Sequence, residues 1–295
     1  MKNIRWLLLL PSLVICAWAG DPAVVHKRVS EVQLTLVATD RNDRPLSNLS
    51  PSDISVLENG QPVSQFNLRS ASDLPLRLGI VLDLSDSTRK SWPIVHAAFA
   101  RSAAEVYRPQ DQLLVLTFNS KIEIDRTFAD PAALGTALEK PGGGGLTALY
   151  DTVYRVCGRE MFQADAEPHR SAIILLSDGE DDISLHELND AIRQAQLNGI
   201  AIYTISTHNP RVSTNGDTVL QTLAAATGGR DFVVKDATQL QSALSSINQE
   251  LRHSYLVYYR TADDGATRNF RRVFVLSTQH DGSHMRSRAG YFTGP

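Results

Sequence analysis

Apolar and polar positions alternate from Glu31 onward. Val32, Leu34 and Leu36 fall on one side and Gln33 and Thr35 on the other, the period-two pattern of a half-buried strand. Asp40-Arg41-Asn42-Asp43-Arg44-Pro45 reads as a turn. Two further strand-like stretches, Ile54 to Glu58 and Val63 to Leu68, flank Asn59-Gly60, a pair suited to a tight hairpin whose central residues both take positive φ. The pattern then changes. Leu78-Gly79-Ile80-Val81-Leu82 is a continuous apolar run, as expected of a strand buried on both faces, and it ends abruptly at Asp83. Trp92 to Tyr107 follows as an amphipathic helix with Val95, Phe99, Ala103 and Val106 inward.

Downstream, strands are expected at Leu113 to Phe118, Ile122 to Phe128, Ala172 to Leu176, Ile200 to Ile205 and Asp231 to Val234. Helices are expected at Pro131 to Glu139, Thr147 to Glu160, Leu185 to Leu197, Thr218 to Ala226 and Leu240 to Leu251. Such alternation requires a largely parallel, doubly wound α/β sheet with helices on both faces. From Ser254 the pattern returns to β, at Tyr255 to Arg260, Phe270 to Ser277 and Met285 to Phe292. Neither terminal set of strands buries much alone, so the two are expected to pack as one small all-β sandwich into which the α/β domain is inserted. The expected division is 1–19 as a signal peptide, 29–75 as the first part of the β-module, 76–251 as the α/β domain and 252–293 as the second part of the β-module.

A content of 42% hydrophobic residues in 295 is enough for a sizeable core. The formal charge of -3 gives no case for nucleic acid, whose phosphates would call for a concentrated basic surface. Lys2 and Arg5 precede an apolar run from Trp6 to Trp18 ending in Ala17-Trp18-Ala19, the pattern of a secretory signal with mature chain from near Gly20. The expected destination is the periplasm or the exterior, and no later segment is long and apolar enough to span a bilayer. A lipoprotein signal at Cys16 is the rival reading, disfavoured by Ile15 before it. Without Cys16 only Cys157 remains, in a helical pattern with Tyr150, Val153 and Tyr154, and it is expected to be a buried inert thiol.

Asp83, Ser85 and Ser87 would converge in one turn at the carboxyl end of a central strand, the end that faces the ligand crevice of an open α/β sheet. They are hard oxygen donors, suited to Mg2+ or Mn2+. Here the chain resembles the von Willebrand factor A family, whose D-x-S-x-S metal-ion-dependent adhesion site is filled by Asp83, Ser85 and Ser87. Thr147 after the glycine run 142–145 and Asp178 closing Ile173-Ile174-Leu175-Leu176-Ser177 complete the family's set. The resemblance implies a Rossmann-like sheet with the Asp83 strand in its middle and one antiparallel edge strand. It further implies that Ser85, Ser87 and Thr147 bind the cation directly, that Asp83 and Asp178 bind it directly or through water, and that the ion is Mg2+, or Mn2+ or Ca2+. The partner it implies is a protein presenting an Asp or Glu carboxylate. The flanking strands and the ending Arg288-Ala289-Gly290-Tyr291-Phe292 are similar to VWFA-related proteins described from acidobacteria.

Rival chemistries lack their residues. An aspartyl-phosphate phosphatase needs a second aspartate where Ser85 stands, His186-Glu187-Leu188-Asn189-Asp190 lacks the second histidine of a zinc protease, no G-x-S-x-G elbow occurs, and the glycine run lacks a phosphate-loop lysine. The bland reading of the hydroxyls is helix capping by Ser87 and Thr147. Asp86, Glu180, Asp181 and Asp182 are expected to form an acidic solvated loop and not a second metal site, and Arg268 to Arg272 a charged strand edge. The expectation is therefore a non-enzymatic binding or adhesion module. A scaffold subunit of a cell-envelope assembly with a purely structural metal is the alternative, and a metal-dependent hydrolase the third reading.

Overall fold

The computed structural model describes residues 28–95, 98, 108, 110–128, 144–161, 169–206, 214–263, 269–279 and 281–293. The expected helix at Pro131 to Glu139 lies outside these residues, as does most of the one at Trp92 to Tyr107, of which 92–95 are helical. The signal peptide read at 1–19 also lies outside them.

Six strands form the central sheet: β5 (Leu76–Asp83), β6 (Gln112–Phe118), β7 (Ile122–Phe128), β8 (Arg170–Leu176), β9 (Ile200–Ser206) and β10 (Asp231–Val233), in the order β10-β9-β8-β5-β6-β7. All neighbours are parallel except the edge strand β7. The doubly wound fold and its single antiparallel edge are thus as the apolar runs and the resemblance led one to expect. The helices described along their whole length include α1 (Leu149–Arg155), α2 (Leu188–Leu197), α3 (Asn215–Thr227) and α4 (Ala237–Arg252). Every residue of β5 is buried, and the strand's two sides feed two cores. Leu76, Leu78, Ile80 and Leu82 pack with Val95 and with Leu240, Leu244 and Ile247 of α4, while Val81 packs with Leu149, Val153, Ile192 and Leu223 of α1 to α3. Helices on both faces leave only the strand ends open, which is why chemistry collects there.

Two four-stranded antiparallel sheets face each other beside this domain. One has the order β13-β1-β11-β4 and contains β1 (Arg28–Thr39), β4 (Phe66–Ser70), β11 (Tyr255–Asp263) and β13 (His284–Arg286). The other has the order β14-β12-β2-β3 and contains β2 (Ile54–Glu58), β3 (Gln61–Pro62), β12 (Phe270–Ser277) and β14 (Gly290–Phe292). Both sheets mix strands from before and after the α/β domain: Leu34 of β1 lies opposite Val257 of β11, and Val56 of β2 opposite Val275 of β12. Val32, Leu34, Leu36, Ile54, Val56, Tyr255, Val257, Tyr259, Val273, Val275 and Tyr291 close the core between them.

The structure corrects several boundaries. Asn59 and Gly60 do turn with φ of 48° and 79°, but the returning strand is only Gln61–Pro62, because proline has no N–H to extend the ladder; the chain then crosses to the other sheet as β4. Met285 to Phe292, expected as one strand, is split between β13 and β14 on different sheets. Arg271 and Arg272 do not lie on an edge, since β12 is flanked by β14 and β2; Arg271 turns inward to pair with Glu58 at 2.6 Å. The helix expected from Leu185 begins at Leu188, because the backbone N–H groups of Leu185 and His186 are taken by the Asp151 carboxylate. Cys157 is fully buried, and burial drives its thiol pKa upward, consistent with an inert thiol.

Candidate metal site

Asp83 is the last residue of β5, and β5 has strands on both sides, so its carboxylate emerges at the middle of the sheet's carboxyl edge. It is only 4% exposed, with Leu82, Trp92, Val95 and Leu176 lining a small crevice beside it. Oδ1 accepts the Ser85 backbone N–H at 2.9 Å, and Oδ2 accepts the Ser177 hydroxyl at 2.7 Å. Burial outweighs these bonds and the nearby Asp178 charge adds to it, so the Asp83 pKa is raised from 3.8 to about 6.

The chain then folds into a tight turn. The Ser85 and Ser87 hydroxyls lie 3.1 Å apart, Ser85 buried and Ser87 exposed. Thr88 locks the turn by donating its hydroxyl to the carbonyls of Asp83 at 2.8 Å and Ser85 at 3.1 Å. Capping does not account for Ser87, because the short 3-10 turn Arg89–Ser91 has Thr88 as its N-cap and no side-chain cap bond.

Thr147 is brought to the same edge by the loop before α1. The Gly144 N–H donates to Leu84 O at 2.8 Å, the Asp86 N–H to Gly145 O at 3.2 Å, and Asn119, just past β6, donates its side-chain amide to Gly144 O at 3.0 Å. Thr147 itself is 2% exposed. Its backbone N–H donates to the Asp182 carboxylate at 2.8 Å, and its carbonyl accepts the N–H groups of Asp182 at 2.8 Å and Ile183 at 3.2 Å. Its hydroxyl has no protein partner among the described residues. It does not cap α1 either, whose N-cap is Ala148.

Asp178 lies two residues past the end of β8, half-buried, and accepts the Glu180 N–H at 3.2 Å. The acidic run after it is not a merely solvated loop. Asp182 holds Thr147 and Asp181 accepts the Tyr150 N–H at 3.1 Å in the first turn of α1, whereas Glu180 is exposed, as is Asp86 in its surface pair with Arg89 at 3.1 Å. The Asp181 and Asp182 carboxylates serve backbone N–H groups at a helix start, where negative charge is favourable. Among the described residues no group of three or more His, Cys, Asp or Glu is placed to hold a metal. The candidate donors read from the sequence are instead two carboxylates and three hydroxyls. Hard oxygen donors around a buried carboxylate whose own hydrogen bonds do not compensate its charge fit a hard divalent cation.

Ser177, Thr88, Asn119, Asp181 and Asp182 are the contributors not singled out as supports from sequence. Ser177 and Thr88 adjoin the motifs, so proximity was a usable signal. Asn119 had none, because only sheet order places the end of β6 beside β5.

A family model, von Willebrand factor type A domain, matches residues 78–246. No curated protein matches the chain. Among solved structures, proximal thread matrix protein 1 from the mussel byssus, in a form described as having a zinc occupied MIDAS motif, is similar at 15% identity, with 67% of this chain and 50% of that chain covered and a TM-score of 0.51. The conserved hypothetical protein BatB from Bacteroides thetaiotaomicron is similar at 17% identity, with 60% of this chain and 97% of that chain covered and a TM-score of 0.49. At such identities a likeness concerns the fold alone. The match over 78–246 spans more than half of the 295 residues, and on that ground the chain belongs to the von Willebrand factor type A domain family.

Proposed function

We propose that this chain is an exported, non-enzymatic protein-binding module that holds a divalent cation, Mg2+ foremost and Mn2+ or Ca2+ otherwise, and through it grips an acidic residue of a partner protein. Ser85, Ser87 and Thr147 would hold the ion through their hydroxyls, with Asp83 and Asp178 contributing carboxylate oxygens directly or through water. The observation that carries this reading is Asp83: a 4%-exposed carboxylate, raised to about 6, at the open edge of the sheet beside the Ser85 and Ser87 hydroxyls. Without a cation its ionised form is poorly compensated.

When bound, the ion supplies charge that neutral hydroxyl ligands leave largely uncompensated, and a carboxylate is the oxygen donor that answers it. Thr88 and Asp182 keep the Ser85 turn and the Thr147 loop in place, so the donors are set before the ligand arrives. Export is supported by the basic and apolar pattern of residues 1–19.

The test is calorimetric titration of the full chain with Mg2+, Mn2+, Ca2+ and Zn2+, zinc being included because the mussel protein's site is described as occupied by it. Binding by wild type that disappears in Asp83→Ala is expected. No binding by wild type, or equal binding by the variant, would end this reading. Pull-down from envelope extract with and without EDTA then addresses the partner: loss of the captured protein in EDTA is expected, and retention would assign the ion a purely structural role.

A further inference from the structure

At the other end of the sheet from Asp83, where β8 and β9 begin, the α/β domain meets the sandwich around a cavity of about 470 Å³. That is within the range of about 300–1,000 Å³ typical of small-molecule sites. Thr35 of β1, Arg170 and Ser171 of β8, Ser254 after α4, and Arg288 between β13 and β14 contribute to its wall. No aspartate or glutamate is among the described residues that line it.

Arg170 is 3% exposed. Its terminal nitrogens donate to the carbonyls of Leu251 and, at 2.8 Å, Leu74, and to the Ser254 hydroxyl at 3.2 Å, whereas its Nε has no partner among the described residues. These bonds close the C-terminus of α4 but supply no counter-charge. The acid nearest in effect, Asp111, is already paired with Arg252, and the charges of Arg252 and Arg108 repel the guanidinium. Arg288 repeats the situation. It donates to the carbonyls of Gln196 at 2.7 Å and Gln33 at 3.0 Å, and among the described residues its Nε has no partner and no carboxylate pairs with it. Burial lowers the pKa of both arginines, that of Arg170 to about 10.

We propose that this cavity is a binding site for a small organic oxyanion, a carboxylate or phosphate compound, recognised by Arg170 and Arg288 at the junction of the two modules. Two guanidinium groups, with no carboxylate among the described residues beside them, line one cavity, and guanidinium is the side chain best matched to paired oxyanion oxygens. Arg170 belongs to the α/β domain and Arg288 to the sandwich, so the ligand ties one to the other. The proposal is independent of the metal site.

The test uses the full chain in calorimetry and thermal unfolding with sodium phosphate and sodium succinate, each against sodium chloride at equal ionic strength. Binding of at least one of the two at one equivalent per chain, with a Tm rise beyond that in chloride, is expected. Phosphate alone or succinate alone would support the site and name its chemistry. Arg288→Gln should weaken that binding at least tenfold. Ser171→Glu, which installs a carboxylate in the cavity, should abolish it while raising Tm in chloride buffer; circular dichroism checks the fold of both variants. No binding of either anion, or an unchanged affinity in folded Arg288→Gln, would overturn the proposal.

Discussion

Gly179 directly follows Asp178, at φ +82°, with its backbone against the first turn of α3. A methyl group built there would sit 2.2 Å from the carbonyl oxygen of Gly216 and 2.5 Å from its carbon; reciprocally, one at Gly216 would meet the Asp178 carbonyl oxygen at 2.1 Å. Gly60 provides the comparison, at nearly the same φ of +79° but with nothing within 4 Å. Alanine in a left-handed conformation costs about 1–2 kcal/mol at either position. The loss of unfolded-chain freedom, about 0.4–1 kcal/mol in the opposite sense, is also common to both and cancels in the comparison. What differs is the clash, because Gly216 presents backbone and has no side chain to swing away. Overpacking of that kind costs about 1–3 kcal/mol. Gly179→Ala is therefore expected to be less stable than Gly60→Ala by about 1–3 kcal/mol in urea unfolding. The segment that must shift carries Asp178, so cation affinity should fall in Gly179→Ala and stay unchanged in Gly60→Ala. Equal stabilities for the two variants, or wild-type affinity in Gly179→Ala, would refute the reasoning.

Three further outcomes are expected. Asp83 holds its proton more tightly folded than unfolded, so in EDTA its contribution is fully present below pH 3.8 and lost as pH rises through about 6, about 3 kcal/mol in all at 1.36 kcal/mol per pH unit. Denaturation curves from pH 4 to 7 should show this loss in wild type, restored by saturating cation and absent in Asp83→Asn; parallel profiles would contradict it. Asp182→Ala removes the acceptor of the buried Thr147 N–H and should lower cation affinity about tenfold, whereas Glu180→Ala, at an exposed position, should change little; calorimetry of the pair decides. Truncation after Arg252 removes β11 and β12, the partners of β1, β4 and β2, and should yield an aggregating chain by light scattering. A monomeric product with protected β1 amides would show that the N-terminal strands stand alone.

The order of elements and the inward faces of the strands were legible in the chain itself, as was the placing of Asp83 at a strand end, because each is written in local sequence. A run such as Leu78 to Leu82 can only be satisfied by cover on both faces, and it delivers Asp83 to a strand end without further information. Alternation in Val32, Leu34 and Leu36 likewise says that one side is buried. It does not say against what, and strand pairing is non-local: only the fold decided that β1 lies beside β11 and that Met285 to Phe292 divides between two sheets. The same limit applies to charge. Asp181, Asp182 and Arg271 read as solvated in sequence, since a carboxylate or guanidinium looks alike whether it faces water or a buried partner. Tertiary structure turned the first two toward the N–H groups around α1 and the third toward Glu58. Arg170 and Arg288 are 118 positions apart, 288 less 170, and no local pattern could reveal that they line one cavity with no acid among its described lining residues. Hydrophobic periodicity records what each residue must hide, whereas a polar side chain's role depends on which group the folded chain sets opposite it.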